Sequence, residues 1–324
     1  MALQTNSDTL ITVFGGSGFL GRHVVRALAK RRYRIRVAVR RPELAGFLQP
    51  LGTVGQIHAV QANLRYPASV EAAMRDASVA INLVGILFER GRQGFEAVQH
   101  FGAEQVALAA NAHGARMIHV SAIGADEKSP SLYAQAKARG EQAVRAATPE
   151  AAIVRPSVVF GPEDDFFNRF AALARILPAL PLVGGGHTRL QPVYAADVGE
   201  AIAGLVETGA GAGKTYEFGG PEVRTMREIM EYVLAVTERS RLLVPLPFGL
   251  ARMKASILQF LPKPPLTPDQ VELLRADNVV SEAAIRDRRT LQGLGITPAA
   301  YEAIVPDYLW SYRKTGQFRA GRFA

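Results

Sequence analysis

Short apolar runs alternate along much of the chain with segments whose apolar residues recur at helical spacing. The runs are rich in β-branched residues and predict buried parallel strands at residues 10–14, 33–39, 56–60, 79–85, 117–120 and 215–218. Helical spacing begins near residues 20 and 70 and fills residues 95–111. This alternation predicts an α/β fold with a doubly wound parallel sheet of the Rossmann type.

The pattern changes after residue 161, and this change sets the expected domain boundaries. We expect residues 1–161 to form the Rossmann domain, with a return segment at about 191–219. Residues 162–190 and 220–324 would form a smaller C-terminal lobe. There Thr225 is expected to cap a helix over 226–236, with Glu228 three positions later. Asp197 receives a similar structural role, at the start of a helix over 201–206.

The stretch 242–261 is apolar, carries Arg252 and Lys254, and precedes a proline-rich segment. It is too charged and too interrupted to span a bilayer. Burial within the smaller lobe is the favoured interpretation, and contact with a membrane surface or a partner comes second. A lid over a substrate cleft is a further alternative. At the end of the chain, residues 318–324 are expected to form a flexible arm.

Glycines concentrate between the first predicted strand and the first predicted helix. The segment reads Gly15, Gly16, Ser17, Gly18, Phe19, Leu20, Gly21. It fits G-x-G-x-x-G from Gly16 and equally G-x-x-G-x-x-G from Gly15. Glycine tolerates the backbone angles of such a turn and lets a pyrophosphate approach main-chain N–H groups at the positive end of a helix. The flanking strand and helix supply the context that the motif requires, so the turn is predicted to bind a dinucleotide.

Two arginines, Arg40 and Arg41, follow the second predicted strand. NAD-binding versions of this unit carry an acidic residue near this point, which accepts the ribose 2′-hydroxyl. Guanidinium groups suit a 2′-phosphate instead, so we expect NADP(H), with Arg40 as the main contact. A basic loop without a ligand is the alternative. Asn63 and Leu64 follow the third predicted strand, at a position that commonly lines an adenine pocket.

Ser121 ends the fifth predicted strand, and Tyr133 and Lys137 lie in the helical segment that follows. Positions four apart share one helix face, so the tyrosine and the lysine point to the same place. A nearby ammonium lowers the pKa of a tyrosine, and a serine hydroxyl can hold a carbonyl oxygen. Hydride chemistry beside a nicotinamide needs such a proton relay. We predict Ser121, Tyr133 and Lys137 as catalytic residues; a solvated pair on a surface helix is the alternative.

Together these motifs resemble the extended and atypical short-chain dehydrogenase/reductase superfamily. The resemblance is carried by the glycine turn, residues 82–85, Ser121 and the Tyr133/Lys137 pair. Residues 153–161 resemble the sixth strand and the nicotinamide-side turn of that group. Residues 160–168 and 191–198 are similar to the subgroup that contains the NADPH-binding accessory subunit of mitochondrial respiratory complex I and its bacterial homologues.

The resemblance covers about residues 10–220 and implies further cofactor contacts at Val84, Gly85 and Pro156, besides those of Tyr133 and Lys137. It implies an NADP(H)-binding protein that supports respiratory complex I or quinone-linked metabolism. The parent superfamily is enzymatic, so an active NADPH-dependent oxidoreductase acting on a carbonyl or quinone-type small molecule is the alternative. A nucleotide-sensing regulator without chemistry is a third. Where the family usually has an acidic residue after the third strand, this chain has Asn63.

The composition of the chain favours some classes of ligand and partner and argues against others. The chain of 324 residues has a formal net charge of +9, which favours a phosphorylated cofactor, anionic lipid or an acidic protein surface. Nucleic acid is not expected, because no recognised motif is present. The chain has no cysteine, and its six histidines lack metal-ligand spacing, so neither disulfides nor a metal are expected. We expect a cytoplasmic protein without signal peptide or spanning helix, peripheral at the inner face of the membrane.

Overall fold

A computed structural model describes residues 6–262 and 264–315 of the chain, so the arm expected at 318–324 lies outside the described residues. The strands, in chain order, are β1 (Leu10–Phe14), β2 (Arg34–Val39), β3 (Ile57–Gln61), β4 (Val79–Asn82), β5 (Arg116–Val120), β6 (Ala152–Pro156), β7 (Val159–Phe160), β8 (Ala179–Val183), β9 (Arg189–Leu190), β10 (Val193–Tyr194), β11 (Thr215–Phe218), β12 (Arg224–Thr225) and β13 (Leu242–Leu246). The helices are α1 (Phe19–Lys30), α2 (Pro67–Met74), α3 (Phe101–Ala112), α4 (Leu132–Ala147), α5 (Phe167–Ile176), α6 (Ala195–Thr208), α7 (Met226–Val236), α8 (Phe248–Leu258), α9 (Pro268–Leu273), α10 (Glu282–Arg286), α11 (Tyr301–Ile304) and α12 (Pro306–Leu309).

Seven of these strands form one sheet, in the order β11-β6-β5-β4-β1-β2-β3. All neighbouring strands in it pair in parallel. The order reverses between β1 and β4, which are adjacent in the sheet although β2 and β3 intervene in sequence. Open sheets of this kind bind ligands outside the carboxyl ends of the strands, at the point of reversal. The predicted Rossmann sheet is therefore confirmed, and its reversal point lies beside the glycine turn that follows β1.

Central strands are buried on both faces. All residues of β1 and β4 are buried, as expected for parallel strands covered by helices on both sides. Helices α1 and α6 approach closely at Gly199, where a Cβ would lie 2.9 Å from the carbonyl carbon of His23. Helix α4 approaches the start of α3 in the same way, because a Cβ at Gly140 would lie 2.2 Å from the carbonyl oxygen of Gln99. Small residues thus bring the helices close together.

Several element boundaries correct the sequence predictions. Helix α2, expected to begin near residue 70, begins at Pro67 and ends at Met74, because proline is favoured at the first position of a helix. Strand β4 stops at Asn82, whose side-chain oxygen accepts a hydrogen bond from the N–H of Val84 and turns the chain. The helix expected over 95–111 consists of a π-helical turn, Glu96–His100, followed by α3.

Two further corrections concern β6 and α6. Strand β6 ends at Pro156, and the residues after it form β7, which pairs with β10 outside the large sheet. Helix α6 already begins at Ala195, so Asp197 lies within its first turn instead of capping a helix over 201–206. An acidic residue there still complements the positive end of the helix.

The chain divides into two compact units. Unit 1 comprises the described residues of Met1–Pro156 together with Ala195–Phe218 and Ser281–Ile296, and it contains the large sheet. The sequence assigned residues 281–296 to the smaller lobe, and this assignment is wrong. The segment is bound to the edge strand β11, since the N–H of Glu217 donates to the carbonyl of Arg289 and the N–H of Ser281 donates to the carboxylate of Glu217.

Unit 2 comprises Ser157–Tyr194, Gly219–Val280 and the described residues of Thr297–Ala324. Its strands pair two by two, with β10 on β7, β12 on β9 and β13 on β8. Aromatic side chains fill much of its core; Phe167, for example, stacks on Tyr301 with ring centres 5.6 Å apart. Helix α7 begins with a capping box between Thr225 and Glu228. The helix predicted over 226–236 is thereby confirmed at both ends.

Candidate functional site

The glycine turn after β1 is shaped by main-chain contacts. Gly15 has a φ of +79°, a conformation that side chains disfavour, and its N–H donates to the carbonyl of Ala38. A Cβ at Gly16 would lie 2.9 Å from Val37 Cγ1, and a Cβ at Gly21 would lie 2.4 Å from the carbonyl oxygen of Gly15. These three glycines are therefore required by the fold of the turn itself. Gly18 is less confined, since only the Gly15 oxygen comes within 4 Å of such a Cβ, at 3.2 Å.

The start of α1 is suited to an anion. Gly18 precedes the helix without a side-chain cap, and no acidic residue stands in the first turn. The first N–H groups of a helix have no partner within it, and its N-terminus carries partial positive charge. Ser17, Phe19 and Leu20 complete this turn and are all partly exposed. The turn therefore offers main-chain donors to a pyrophosphate.

Arg40 and Arg41 directly follow β2, at its carboxyl end, and both are exposed. The guanidinium of Arg22, on α1, lies over the ring of Phe47 at 4.9 Å from the ring centre. Arg40 and Arg41 thus stand at the end of the strand adjacent to β1 in the sheet. They are open to a ligand that carries phosphate next to the glycine turn.

The two residues predicted beside an adenine pocket have different surroundings. The side-chain oxygen of Asn63 accepts a hydrogen bond from the N–H of Arg65, 3.2 Å away. The side chain of Leu64 is buried in the core, where it packs against the backbone of Gly102. Leu64 therefore has only its main chain available to a ligand, whereas Asn63 retains its amide nitrogen as a donor.

Residues after β4 connect the glycine turn to the predicted catalytic residues. A Cβ at Gly15 would lie 3.1 Å from Val84 Cγ2. A Cβ at Gly85 would lie 3.3 Å from Lys137 Nζ and 3.6 Å from Gln99 Oε1. Val84 is partly exposed and Gly85 is exposed. The structure thus brings the loop after β4 between the glycine turn and Lys137, whereas Pro156, at the end of β6, is buried and accepts a hydrogen bond from the N–H of Ile123.

The predicted catalytic residues lie at the end of β5 and on α4. Ser121 follows β5 directly, is buried, and its Oγ has no hydrogen-bond partner in the described protein. Lys137 is also buried, and its Nζ donates to the carbonyl of Val120 at 3.2 Å. Tyr133 is partly exposed, and Lys137 Nζ lies 5.9 Å from the centre of its ring. Ser121 therefore directly follows Val120, the residue whose carbonyl accepts the hydrogen bond from Lys137.

Burial shifts the charge state of Lys137. Its pKa is lowered from 10.5 to about 8 by desolvation, against the opposing effect of Glu141. At neutral pH the amine remains protonated for most of the time. The ammonium can therefore stabilise a phenolate at Tyr133. Because the pKa of the amine lies near neutral pH, a bound ligand can change its protonation.

Two further polar residues near this site are buried, and one of them, Gln99, was missed in the sequence. Gln99 is fully buried in the π-helical turn, and neither of its amide atoms has a partner in the described protein. His119 precedes the end of β5; its Nδ1 lies 3.3 Å from Asn82 Nδ2, and its Nε2 has no partner there. Desolvation and the charge of Lys137 lower the pKa of His119 to about 3, so the ring is neutral. The sequence did contain one sign of Gln99: it is a polar amide within a stretch whose other inward positions are apolar.

These unpaired atoms test whether a nicotinamide dinucleotide fits. Buried polar groups normally have hydrogen-bond partners, so Ser121 Oγ and the Gln99 amide indicate a place for polar ligand groups. They lie near the end of the sheet to which the glycine turn belongs, and a dinucleotide carries its hydroxyl and amide groups at some distance from its pyrophosphate. These residues therefore fit the polar groups of a nicotinamide dinucleotide. No group of acidic, histidine or cysteine side chains within the described residues is arranged to hold a metal ion.

Comparisons with known proteins agree with this arrangement. Residues 11–219 match a family model described as the NAD dependent epimerase/dehydratase family. The chain is 38% identical over 323 residues to the mitochondrial NADH dehydrogenase (ubiquinone) 1 alpha subcomplex subunit 9 of Arabidopsis thaliana, and the match covers 96% of this chain and 79% of that protein. It is 36% identical over 206 residues to a ceramide reductase of Caulobacter vibrioides, covering 64% of this chain and 63% of that one.

A solved structure shares the fold. The dTDP-glucose 4,6-dehydratase of Bacillus anthracis, solved in complex with NAD, superposes with a TM-score of 0.69 at 16% identity, covering 94% of this chain and 96% of that chain. At this identity the likeness concerns the fold alone. Among the helices that the structure describes, none has the length and apolar character to cross a membrane.

Proposed function

Because the chain belongs to the NAD dependent epimerase/dehydratase family, we propose that it binds a nicotinamide dinucleotide, in the NADP(H) form, on the turn between β1 and α1. The observation that carries the choice of NADP(H) is the Arg40–Arg41 pair at the end of β2, where NAD-binding sheets place a carboxylate. In this proposal the main chain of Gly15–Gly21 binds the pyrophosphate. Asn63, the main chain of Leu64, Val84, Gly85 and Pro156 line the rest of the cofactor site.

The cofactor choice is tested by comparing affinities for NADPH and NADH. We expect the Arg40→Ala/Arg41→Ala variant to lose on the order of tenfold in NADPH affinity, because charge-assisted contacts to the 2′-phosphate are removed. Its NADH affinity should stay unchanged. Arg34→Ala, at the exposed amino end of the same strand, is the matched control. Equal losses for both nucleotides would contradict the assignment of the 2′-phosphate site.

We further propose that the protein associates with respiratory complex I or a quinone-linked assembly, at the inner face of the membrane. This rests on the 38% identity, over nearly the whole chain, to a protein named as a subunit of that complex. The cofactor would then act as a resident part of the structure. A basic protein of charge +9 is also suited to an acidic docking surface.

Association is tested with the full chain in membranes of its own host. A tagged chain should migrate with complex I on native gels at low salt, and complex I should be retained on the tag. If the chain migrates free of complex I under these conditions, the association proposal fails. The exchange rate of bound NADPH gives a second measurement: a resident cofactor exchanges over hours, whereas a turnover enzyme must release it within each cycle.

A reductase is the second candidate, and the placement of Ser121, Tyr133 and Lys137 favours it. The 36% identity to a ceramide reductase supports the same alternative. When bound, the nicotinamide would supply hydride. Ser121 Oγ would hold the carbonyl oxygen of the substrate, the Tyr133 hydroxyl would give that oxygen its proton, and the Lys137 ammonium would stabilise the phenolate left behind.

Activity on carbonyl or quinone-type substrates would be tested by NADPH oxidation. Tyr133→Phe should then abolish turnover and leave NADPH affinity nearly unchanged, because the ring and its contact with Phe95 remain. Loss of both together would indicate that the hydroxyl has a structural role. If no substrate is turned over and the cofactor exchanges slowly, the resident-cofactor proposal stands.

A further inference from the structure

Helix α8 buries two alanines and exposes three of its large apolar residues, while Phe248 and Leu258 are half-buried. Ala251 and Ala255 are fully buried, whereas Leu250, Met253 and Ile257 are exposed, Ile257 by 73%. Helices on a protein surface normally turn their large apolar side chains inward. This reversed arrangement leaves an apolar face that unit 2, as described, does not cover.

The exposed residues fall on one side of the helix. At 100° per residue, positions 250, 253 and 257 lie within a narrow arc, away from the side that contains the two buried alanines. The chain continues this side in the turn that follows, where the N–H of Phe260 donates to the carbonyl of Ile257. Phe260 is 85% exposed, and Leu261 is exposed beside it. We call Leu250, Met253, Ile257, Phe260 and Leu261 the α8 ridge.

Basic residues accompany the ridge, and acidic residues are absent from its sequence. Between Glu238 and Asp269 the chain has no acidic residue, while its five basic residues are Arg239, Arg241, Arg252, Lys254 and Lys263. Lys254 is exposed at one margin of the ridge, and the exposed Arg252 lies closer to the side of the helix that contains the buried alanines. Arg252 lies 3.5 Å from Glu272, which also pairs with Arg275, so a single carboxylate is shared by two guanidinium groups. The surroundings of the ridge therefore keep a net positive charge.

We propose that the α8 ridge inserts into the headgroup region of an anionic phospholipid bilayer and holds the protein on the membrane surface. An interfacial helix places its apolar face at the boundary of the acyl chains and its cations at the lipid phosphates, which is the arrangement of α8. Long basic side chains reach the headgroups while their stems cover apolar surface. The inference adds a lipid contact to the proposed association with complex I, and it does not depend on a bound cofactor.

A second copy of the chain fits the ridge less well. Two ridges meeting face to face would bring together segments that each carry five basic residues and no acidic ones. The whole chains, at +9 each, would also repel one another. An anionic lipid surface neutralises the same charges, and therefore satisfies both the apolar and the basic parts of the ridge.

Co-sedimentation with lipid vesicles tests the proposal, using the purified full chain and no complex I. We expect binding to vesicles that contain phosphatidylglycerol and little binding to pure phosphatidylcholine. The Ile257→Gln/Phe260→Gln variant should bind on the order of tenfold more weakly or worse, because two exposed apolar side chains are removed without touching the core. The matched control is Val54→Gln/Ile285→Gln, two exposed apolar residues of unit 1, which should bind like the wild type.

Three results would overturn the proposal. One is equal binding of the ridge variant and the wild type to anionic vesicles. Another is a wild type that dimerises in solution and becomes monomeric in the ridge variant, since the ridge would then be a contact between copies. The third is a wild type that binds no vesicles but retains complex I, together with a ridge variant that no longer retains it. Because vesicles alone are used, failure here leaves the complex I proposal standing, and failure of that proposal leaves this one.

The absence of cysteine permits a direct test of insertion. A single cysteine introduced as Ile257→Cys takes one environment-sensitive fluorophore, and Val54→Cys takes the same label far along the chain. Anionic vesicles should shift the emission of the label at residue 257 to the blue, and the label at residue 54 should not respond. An unshifted label at residue 257 on vesicle-bound protein would show that the ridge remains in water.

Discussion

At the scale of single residues, Gly21 is fixed by its neighbours. A Cβ there would lie 2.4 Å from the carbonyl oxygen of Gly15 and 2.7 Å from the backbone of Gly16. We expect Gly21→Ala to lower the free energy of unfolding by about 2 kcal/mol, measured by urea denaturation. Gly204, within α6, has no atom within 4 Å of such a Cβ, so Gly204→Ala should raise that free energy by roughly 0.5–1 kcal/mol. A stable Gly21→Ala protein would mean that the turn relaxes freely.

Lys137 makes stability depend on pH in the alkaline range. Its pKa is about 8 in the folded protein and 10.5 without burial, so between these values the unfolded chain binds more protons and stability rises with pH. Lys137→Met removes the titrating group and keeps the volume. The stability of the wild type relative to this variant should therefore increase by about 2 kcal/mol from pH 8 to pH 10. A pH-independent difference would mean that the buried amine has its ordinary pKa.

The sequence was sufficient to place residues that belong to a local pattern. Tyr133 and Lys137 share a helix face at a fixed spacing, and the glycine turn lies between a recognisable strand and helix. Gln99 was not predictable in this way. Its position depends on the backbone of Gly140 and on the loop at Gly85, and these come from elements distant in sequence that only the fold brings together.

At the scale of elements, a buried ion pair joins α4 to β6. Arg155 donates to both carboxylate oxygens of Glu141, at 2.8 and 2.6 Å, and Glu141 is buried. Arg155→Met leaves this carboxylate without its partner, so we expect a loss of about 3 kcal/mol in the free energy of unfolding. The Glu141→Leu/Arg155→Met variant removes both charges and should recover most of the loss. Chemical denaturation of both variants measures the difference, and equal losses would contradict this account.

The capping box of α7 gives a second prediction at this scale. Thr225 Oγ1 accepts from the N–H of Glu228, and the Glu228 carboxylate accepts from the N–H of Thr225. Thr225→Ala should lower the free energy of unfolding by about 1 kcal/mol. Because the two side chains act as one unit, Thr225→Ala/Glu228→Ala should cost less than the sum of the single changes. Additive losses in thermal or urea denaturation would show that they act separately.

The sequence predicted the type of each element more accurately than the residues at which the element begins and ends. Apolar runs located the central strands because burial on both faces leaves a continuous signal. The ends depended on individual side chains, such as Asn82, which turns the chain after β4. The π-helical turn before α3 has no periodicity of its own and could not be distinguished from the helix it interrupts.

At the scale of the whole molecule, net charge and the α8 ridge would both contribute to binding an anionic membrane, and salt distinguishes the two contributions. The net charge of +9 produces an attraction to anionic vesicles that salt screens, whereas apolar insertion resists salt. Wild-type binding should therefore fall only in part between low and high salt. The residual binding of Ile257→Gln/Phe260→Gln should disappear, since only charge remains. Sedimentation at two ionic strengths measures this, and identical salt dependence would contradict a contribution from the ridge.

The division into units is the level at which the sequence failed most. Residues 281–296 have no pattern that distinguishes them from their neighbours, and their attachment to β11 uses main-chain groups together with the Glu217 carboxylate. Such contacts leave little trace in residue types. The sequence prediction therefore assigned residues 281–296 to the smaller lobe. Only the hydrogen bonds to β11 show that they belong to unit 1.

The attachment of Ser281–Ile296 to β11 has a consequence for biosynthesis. Unit 1 draws its parts from the beginning, the middle and a late segment of the chain, with the segments of unit 2 between them. A ribosome that has delivered the first 156 residues has made most of the sheet but neither β11 nor the segment that borders it. The edge at β6 then stays open, as an exposed template for pairing with other chains. Completion of unit 1 must wait until the segment that ends at Ile296 has emerged, and until then the open edge at β6 is exposed to pairing with other chains.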